Sequence, residues 1–248
     1  CVMQKRLLIL AVAVLSTSVW AQGNTHNDSF NKAKRMLEQQ VYYDHRVTFY
    51  CEASFDAKKK VTLPAGFVTE KFKDRAERVE WEHVVPAENF GRTFLEWREG
   101  HPDCVNKGGK AFKGRKRAEK VNNEYRCMQS DMYNLYPAIG AVNAARQNYR
   151  FQELPGVQSD FGSCAMKIDN RRVEPPENAR GPIARTYLYM QEAYPRFRLS
   201  RSQQNLMQAW NKQYPVDQWE CTRAKRIEAI QGNENRFVKE PCLQAKLW

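Results

Sequence analysis

The sequence has seven cysteines, and the six that remain when Cys1 is set aside constrain the fold more than any other feature. They are Cys51, Cys104, Cys127, Cys164, Cys221 and Cys242. None of their spacings matches the close pairs, such as C-x-x-C, that structural zinc sites use, so the sequence favours disulfides over a metal site. An even number of cysteines at such spacings is typical of a protein that folds in an oxidising compartment.

The pairing of these cysteines is only partly predictable. Six cysteines allow about 15 pairings, all of which stay open at this level. Pairing Cys104 with Cys127 and Cys221 with Cys242 would close short loops, each stabilising the fold by about 3 kcal/mol through the entropy of the unfolded chain. Cys51 and Cys164 would then form the third disulfide by elimination.

Residues 1–21 have the pattern of a secretory signal peptide. A basic start precedes the apolar run from Leu7 to Leu15, and small residues lead up to a predicted cleavage after Ala21. The run is too short to span a bilayer, and no later segment approaches about 18 uninterrupted apolar residues. We therefore expect a periplasmic or secreted protein without a membrane span, whose domain covers residues 22–248.

The chain is strongly basic. It carries 40 Lys and Arg against 28 Asp and Glu, a formal charge of +12. Removing Lys5 and Arg6 with the leader leaves 38 against 28, or +10. Such a surplus favours a polyanionic partner, either nucleic acid or an anionic envelope surface. With 42% hydrophobic residues the chain is no disordered tail and can bury a substantial core.

Hydrophobic periodicity predicts a helix followed by two strands in the first third of the chain. Apolar residues recur at three and four positions from Ser29 to His45, which predicts an amphipathic helix with Asp28 as its N-cap. Alternation predicts a strand over 47–55. A second strand is predicted over 80–85, closed by Pro86.

The rest of the chain is predicted to be a basic loop followed by helices. Residues 104–127 are basic and contain glycine, which indicates a solvated loop or an arm that contacts phosphate. Pro137 is expected in the first turn of a helix that ends near Tyr149. Proline and glycine predict a surface loop over 174–182. Three further helices are predicted over residues 181–194, 202–214 and 221–232, the last ended by Gly232.

Glu82 and His83, within "VEWEHVVPAENF" (79–90), carry the most chemistry. Histidine has an unperturbed pKa of about 6.5 and can act as a base at neutral pH. Carboxylate and amide oxygens suit a hard cation such as Mg²⁺. Adjacent side chains of a strand point to opposite sides, so Glu82 could hold a metal while His83 faces water. The simpler alternative is a hydrogen-bonded, half-buried histidine beside a solvated edge carboxylate.

Four long motifs occur along the chain in the order "VEWEHVVPAENFG", "SDMYNLYPAIGAVNAARQN", "PPENARGPIARTYLYM" and "LMQAWNKQYPVDQWECTRAKRIEAIQGNENRFV". Together they resemble the bacterial endonuclease I family, and the resemblance thins only at residues 53–72 and 100–128. It implies an α+β fold: a mainly helical single domain with a ββα-metal (His-Me finger) core and disulfide cross-links. It also implies a metal-dependent nuclease that cuts DNA, and RNA too, without sequence preference, leaving 5′-phosphates.

The same resemblance implies roles for individual residues. His83 matches the general base and Glu82 the first metal ligand. Asn143 matches the second ligand, whereas Asn134 is structural by analogy. The expected cofactor is Mg²⁺, with Ca²⁺ or Mn²⁺ as alternatives. We expect a monomer that binds DNA and RNA through the phosphate backbone.

Three cations match positions that contact phosphate. Arg75 is one of them. Lys110 stands where the family usually has arginine, so a loop neighbour such as Arg115 could supply the planar guanidinium instead. Arg185 is the third candidate, with a buried salt bridge as its alternative role.

Other departures from the family concern cysteines and acids. Ala53 and Ala65 stand where the family has two further cysteines, so one disulfide is absent as a pair. Gln129 and Ala141 replace glutamates near the expected metal site, which lowers the local negative charge. A function of another class also stays open: a non-catalytic exported basic protein that binds nucleic acid or envelope polyanions.

Overall fold

A computed structural model describes residues 22–100, 105–109 and 112–248. The predicted leader, Cys104 and Lys110 lie outside the described residues. Within them the chain is a mixture of helices and short strands that share one hydrophobic core. The elements are α1 (Phe30–Met36), β1 (Ser54–Phe55), β2 (Val61–Thr62), β3 (Val79–His83), α2 (Ala87–Gly91), α3 (Leu95–Glu99), α4 (Arg115–Val121), α5 (Asn123–Gln129), β4 (Leu135–Ile139), α6 (Gly140–Arg146), β5 (Arg150–Phe151), β6 (Lys167–Asp169), β7 (Arg172–Glu174), α7 (Glu177–Ala193), α8 (Arg201–Gln213), α9 (Gln218–Gln231) and α10 (Arg236–Gln244).

The first helix is confirmed, but both of its predicted ends are wrong. Ser29 rather than Asp28 caps it, because the Ser29 hydroxyl accepts a hydrogen bond from the Lys32 amide at 3.3 Å. Beyond α1 the helix continues in a wider π form over Leu37–Val41 and stops there, four residues short of the predicted end.

The strand predicted over 47–55 is mostly a turn. Thr48 closes a local loop, donating its amide to the Ala53 carbonyl at 2.8 Å and accepting the Ala53 amide on Oγ1 at 2.9 Å. Those groups are therefore not available for a continuous ladder. Only the last two residues, β1, pair in a named strand, with β2.

Strand β3 matches the second predicted strand closely and pairs antiparallel with β4. The prediction for Pro137 is wrong, because this residue lies inside β4 opposite Trp81. Proline has no amide to donate, and a two-stranded sheet tolerates it because only one edge of each strand must pair. The Pro137 carbonyl accepts the Phe49 amide at 2.7 Å.

Helix α6 follows β4 directly, so that two antiparallel strands and a helix form one ββα unit. The helix starts at Gly140 and ends at Arg146, short of the predicted Tyr149. A Cβ at position 140 would lie 2.6 Å from the Arg75 carbonyl oxygen. Glycine therefore lets α6 approach the segment that precedes β3.

The region predicted as a basic loop is partly helical. Helices α4 and α5 occupy its second half, and the Asn122 side chain caps α5 by accepting the Tyr125 amide at 2.8 Å. The loop predicted over 174–182 is shorter than expected, because α7 already begins at Glu177. The three carboxyl-terminal helices are confirmed, including the left-handed Gly232 (φ 81°) that ends α9.

Two of the predicted disulfides are confirmed: Cys51–Cys164 and Cys221–Cys242. Within the described part of the chain, Cys127 is a buried free thiol. Its predicted partner, Cys104, is outside that part, so the third disulfide stays a prediction. None of the described helices is both long and apolar enough to cross a membrane.

Candidate active site

Strand β3 separates two kinds of side chain, because successive residues of a strand point to opposite faces. Trp81 and His83 lie on one side, which we call the imidazole face. Glu80 and Glu82 lie on the other, the carboxylate face, where α6 packs against the strand through Asn143 and Arg146. The neighbours predicted to carry the chemistry therefore have different surroundings.

His83 is buried, with only 8% of its surface exposed, in an aromatic setting. Its ring centroid lies 5.0 Å from that of Phe30 and 6.4 Å from that of Phe90. Burial, with a further contribution from the charge of Arg115, lowers the pKa of His83 to about 3. The imidazole is therefore neutral at pH 7.

The Gln129 main chain determines which nitrogen of His83 carries the proton. His83 Nε2 lies 2.8 Å from the Gln129 carbonyl oxygen. A carbonyl oxygen only accepts, so Nε2 carries the hydrogen and Nδ1 keeps its lone pair. No described residue donates a hydrogen bond to Nδ1, which leaves it able to accept a proton.

Glu82 is a buried carboxylate held by one of its two oxygens. Oε1 accepts the Tyr50 hydroxyl at 2.9 Å and lies 3.1 Å from Nη1 of Arg146. Burial raises the pKa of Glu82 to about 6, although Arg146 and the Tyr50 hydrogen bond oppose that shift. Oε2 accepts no hydrogen bond from the described residues.

Asn143 contacts Glu80 rather than Glu82. Its amide Nδ2 donates to Glu80 Oε2 at 2.9 Å, which orients the amide and leaves Oδ1 without a donor among the described residues. Arg75 Nε binds the other oxygen of Glu80 at 2.8 Å, and Arg78 Nε binds it at 3.0 Å. These contacts, with Arg75 as the largest opposing influence, lower the pKa of Glu80 despite burial.

The carboxylate face offers two oxygen atoms of the kind that the expected metal, Mg²⁺, binds. Glu82 Oε2 and Asn143 Oδ1 are hard oxygen donors, each on a side chain whose other polar atom is already bound. Mg²⁺ typically takes one or two protein oxygens and completes its shell with water and phosphate. In residues 22–100, 105–109 and 112–248, no group of three or more His, Cys, Asp or Glu side chains could hold a metal. The chemistry of these two oxygens suits a hard cation whose shell is completed by water and substrate, and no hydrogen bond joins Asn143 to Glu82.

Arg115 lies at the edge of the imidazole face. Its guanidinium carbon is 5.3 Å from the Phe30 ring centroid, and its Nη2 lies 3.2 Å from Gln129 Oε1. Lys34 lies over the same Phe30 ring at 4.7 Å. Two cations therefore flank the ring that packs on His83.

Arg185 forms a buried salt bridge, the role that the sequence left open as the alternative to a phosphate contact. It is 1% exposed, and Nε and Nη2 bind Glu220 at 2.7 and 2.6 Å. Nη1 donates to the Tyr214 carbonyl at 2.8 Å. A guanidinium so buried and so fully paired is not open to a phosphate group.

Asn134 and Asn143 have different hydrogen-bond partners. Both polar atoms of the Asn134 amide bind the backbone of Val85, at 2.7 and 2.9 Å. No acceptor atom of that side chain remains for a metal. Asn143, in contrast, keeps its amide oxygen.

The sequence interpretation missed Glu80, Arg146, Tyr50 and the main-chain carbonyl of Gln129. Two of these had a signal: Glu80 is two residues before Glu82 in a strand, and Arg146 is three residues after Asn143 in a helix, so each shares a face with a predicted ligand. Tyr50 and Gln129 reach the site only through the tertiary fold, and no spacing indicates them.

Comparison with known proteins identifies a family and several relatives that this chain resembles. The Endonuclease I family model matches residues 29–242. An extracellular deoxyribonuclease of Aeromonas hydrophila is 40% identical over 248 residues, which cover 97% of this chain and all of that protein. A periplasmic deoxyribonuclease of the same species is 41% identical over 244 residues, 95% of each chain. Endonuclease-1 of Buchnera aphidicola subsp. Acyrthosiphon pisum (strain APS) is 38% identical over 221 residues, 87% of this chain and 82% of that one.

Proposed function

Because the chain belongs to the endonuclease I family, we propose that it is a magnesium-dependent endonuclease that hydrolyses DNA, and RNA as well, to 5′-phosphate products. The observation that carries this proposal is the arrangement around β3. A neutral imidazole with a free Nδ1 lies one residue from a carboxylate, and an amide oxygen is presented by the helix packed on that strand. The relatives named as deoxyribonucleases support DNA as the substrate.

The imidazole face supplies the base. Nδ1 of His83 accepts a proton from the water that attacks phosphorus, while Nε2 stays bound to the Gln129 carbonyl. The imidazole is unprotonated at pH 7, because burial lowers its pKa. Packing between Phe30 and Phe90 keeps the ring in one orientation.

The carboxylate face supplies the metal ligands. Glu82 Oε2 and Asn143 Oδ1 would hold the ion, and the two strands with their following helix would serve as the ββα-metal core that the family implies. When bound, Mg²⁺ supplies charge neutralisation at the phosphate and at the leaving oxygen. Glu80 orients the Asn143 amide, and Arg146 compensates the charge of buried Glu82.

Cations around the two faces bind the substrate. Arg75 uses Nε and Nη2 for Glu80, and Nη1 has no partner among the described residues. Arg115 takes the arginine role that the sequence assigned to position 110, since it lies beside the His83 environment. Contacts of this kind read phosphate and sugar rather than bases, which supports cleavage without sequence preference.

The cellular location is proposed to be the periplasm or the exterior of the cell. Related proteins carry those locations in their names. The two disulfides support an oxidising compartment. The monomeric state stays a prediction.

A plasmid-nicking assay tests the proposal. Supercoiled DNA is expected to be nicked and then linearised with Mg²⁺, to stay intact with EDTA, and to be cut again when excess Mg²⁺ is restored. His83→Ala is expected to slow cleavage by about 10²- to 10⁴-fold, because it removes the base. The matched control is His26→Ala, since His26 is exposed and lies outside the site.

Two outcomes would contradict this proposal. A His83→Ala variant that cuts at the wild-type rate would remove the base from the mechanism. Wild-type protein that retards DNA in a gel but never cuts it would instead be the non-catalytic binder that the charge alone allows.

A further inference from the structure

A cleft of ≈ 410 Å³ lies between residues 69–72, the end of α6 and the turn that joins β6 to β7. We call it the Phe72 cleft. Its size falls within the range of about 300–1,000 Å³ typical of small-ligand sites. Residues that line it include Phe72, Ala145, Gln147, Tyr149, Phe161 and Arg171.

Side-chain contacts link the cleft to the proposed active site. Ala145 belongs to α6, the helix that presents Asn143. On the other wall, the Arg75 guanidinium carbon lies 5.7 Å from the Phe72 ring centroid. The same guanidinium binds Glu80, which in turn accepts from Asn143. Two side chains, Arg75 and Glu80, thus connect Phe72 to the proposed metal ligand Asn143.

Phe72 is held in an unusual backbone conformation and points its ring outward. Its φ and ψ are 56° and 36°, in the left-handed region that a bulky side chain rarely adopts. The side chain is nevertheless 40% exposed, so it adds little to the core. The Arg75 amide donates to the Phe72 carbonyl at 2.9 Å, which keeps this turn closed. A strained, exposed aromatic residue beside a reaction site suggests a role in binding.

The charged side chains that line the cleft are two cations and three acids. Lys71 and Arg171 form no ion pair within the described residues, whereas two of the lining acids are neutralised. Glu70 lies 3.1 Å from Lys73, and Asp169 binds Arg172 at 2.7 Å. Asp160 is the third lining acid and has no ion-pair partner among the described residues. The exposed amide of Gln147 adds a neutral hydrogen-bonding group to the wall.

We propose that the Phe72 cleft is a nucleobase subsite, in which an unstacked base of the substrate strand lies on the Phe72 ring. The backbone phosphate next to that base binds Lys71 or Arg171. The inference rests on the proposed function, since it names the part of the substrate that the same site holds. Aromatic stacking accepts every base, so such a subsite adds affinity without adding sequence preference.

The subsite has a consequence for the form of the substrate. A base inside a duplex must leave its stack before it can lie on Phe72, whereas a single strand presents bases freely. The enzyme is therefore expected to bind single strands, or duplex ends that open, more tightly than a closed duplex of the same sequence.

The test compares Phe72→Ala with the wild type on two single-stranded oligonucleotides of equal length. One is ordinary DNA, and the other has tetrahydrofuran abasic sites in place of its nucleosides. Phe72→Ala is expected to raise KM about tenfold on ordinary DNA with kcat little changed. On the abasic strand, wild type and variant should have equal KM. Phe72→Trp, which restores an aromatic surface, should bring KM back toward the wild-type value.

Tyr43→Ala is the matched control, because Tyr43 is also an exposed aromatic residue, at 50%, and lies outside the cleft. Thermal unfolding of each variant checks that the fold is kept, and Phe72→Leu retains most of the apolar volume without a π face. An unchanged KM in Phe72→Ala, or an equal loss on both strands, would overturn the subsite.

The same inference can fail separately from the proposed function. Fluorescence anisotropy with labelled ordinary and abasic strands measures binding without cleavage. If wild-type protein never cuts but Phe72→Ala still weakens binding of the ordinary strand alone, the subsite stands and the endonuclease proposal falls. If cleavage depends on His83 but the protein binds ordinary and abasic strands equally tightly, the endonuclease proposal stands and the subsite falls.

Discussion

On one face of β3, His83 packs against Phe30 and makes a single hydrogen bond, whereas on the other face Glu82 is held by Arg146 and Tyr50 in an ionic network. Burial lowers the pKa of the first group to about 3 and raises that of the second to about 6. Both shifts disfavour the charged form of the side chain. His83 is neutral on the imidazole face, whereas on the carboxylate face Glu82 is paired with the cation Arg146.

This difference explains how two adjacent residues can serve opposite roles. A base must be free of a proton, and a metal ligand must present a lone pair to a cation. Alternation along a strand turns adjacent side chains to opposite sides, so each can have its own dielectric and its own partners. A helix, in which neighbours share more of their surroundings, would separate them less.

After His83→Ala, the largest expected effect contrasts two asparagines that follow β3 in sequence. Asn143→Ala is expected to lower kcat/KM about 100-fold at fixed Mg²⁺, with partial recovery at higher Mg²⁺, because it removes a proposed ligand. Its melting temperature should change little. Plasmid cleavage over a Mg²⁺ titration measures this effect.

The matched variant is Asn134→Ala, which should do the reverse. It leaves the Val85 amide and carbonyl without partners, at about 1–3 kcal/mol for each buried group. Urea unfolding should show that loss. If Asn134→Ala instead abolishes cleavage without loss of stability, the assignment of the two asparagines is reversed.

The second prediction concerns pH and the imidazole face. The folded pKa of His83, about 3, lies below an unfolded value of about 6.5, so the unfolded chain binds this proton more tightly. The contribution of neutral, buried His83 to the free energy of unfolding is therefore complete above about pH 6.5, and it is lost as the pH falls toward 3. The free energy of unfolding of the wild type, minus that of His83→Gln, should therefore decrease over this interval.

Denaturant unfolding at several pH values measures that difference. His26→Gln serves as the reference, because His26 is exposed. A wild-type-minus-His83→Gln difference that stays constant from pH 6.5 to 4 would mean that His83 is not buried in its neutral form.

The smallest expected effect concerns the cation at the edge of the imidazole face. Arg115→Gln should weaken DNA binding similarly for all sequences and reduce the slope of log K against log salt by about 1, as expected for a lost phosphate contact. Lys246→Gln removes the same charge from an exposed position on the carboxyl-terminal tail and is the control. Equal slopes in the two variants would show that Arg115 acts only through net charge.

Sequence patterns predicted the elements that depend on local chemistry. The amphipathic carboxyl-terminal helices and the left-handed Gly232 were predictable because periodicity and capping act over a few residues. Pro137 was misplaced because its strand exists only through pairing with Trp81, a partner 56 residues away. The turn at Thr48 was missed for a different reason: its hydrogen bonds are local, but the alternation of apolar residues does not reveal them.

The candidate site divides along the same line. The family resemblance identified His83, Glu82 and Asn143 as residue types suited to the reaction, and the choice of Asn143 over Asn134 agrees with their observed partners. Arg185 had two possible roles, and only its burial against Glu220 decided between them. Whether an arginine binds phosphate or a buried carboxylate depends on its surroundings rather than on its neighbours in sequence.

By itself, the sequence determined the family, the basic charge and the alternation that sends Glu82 and His83 to opposite sides of a strand. The tertiary structure alone decided that Arg146 and Tyr50 meet Glu82, that the Gln129 carbonyl holds Nε2 of His83, and that Asn143 is oriented by Glu80. The reason is physical. Periodicity follows from the covalent chain, whereas protonation and ligand geometry depend on burial and on groups that only folding brings together.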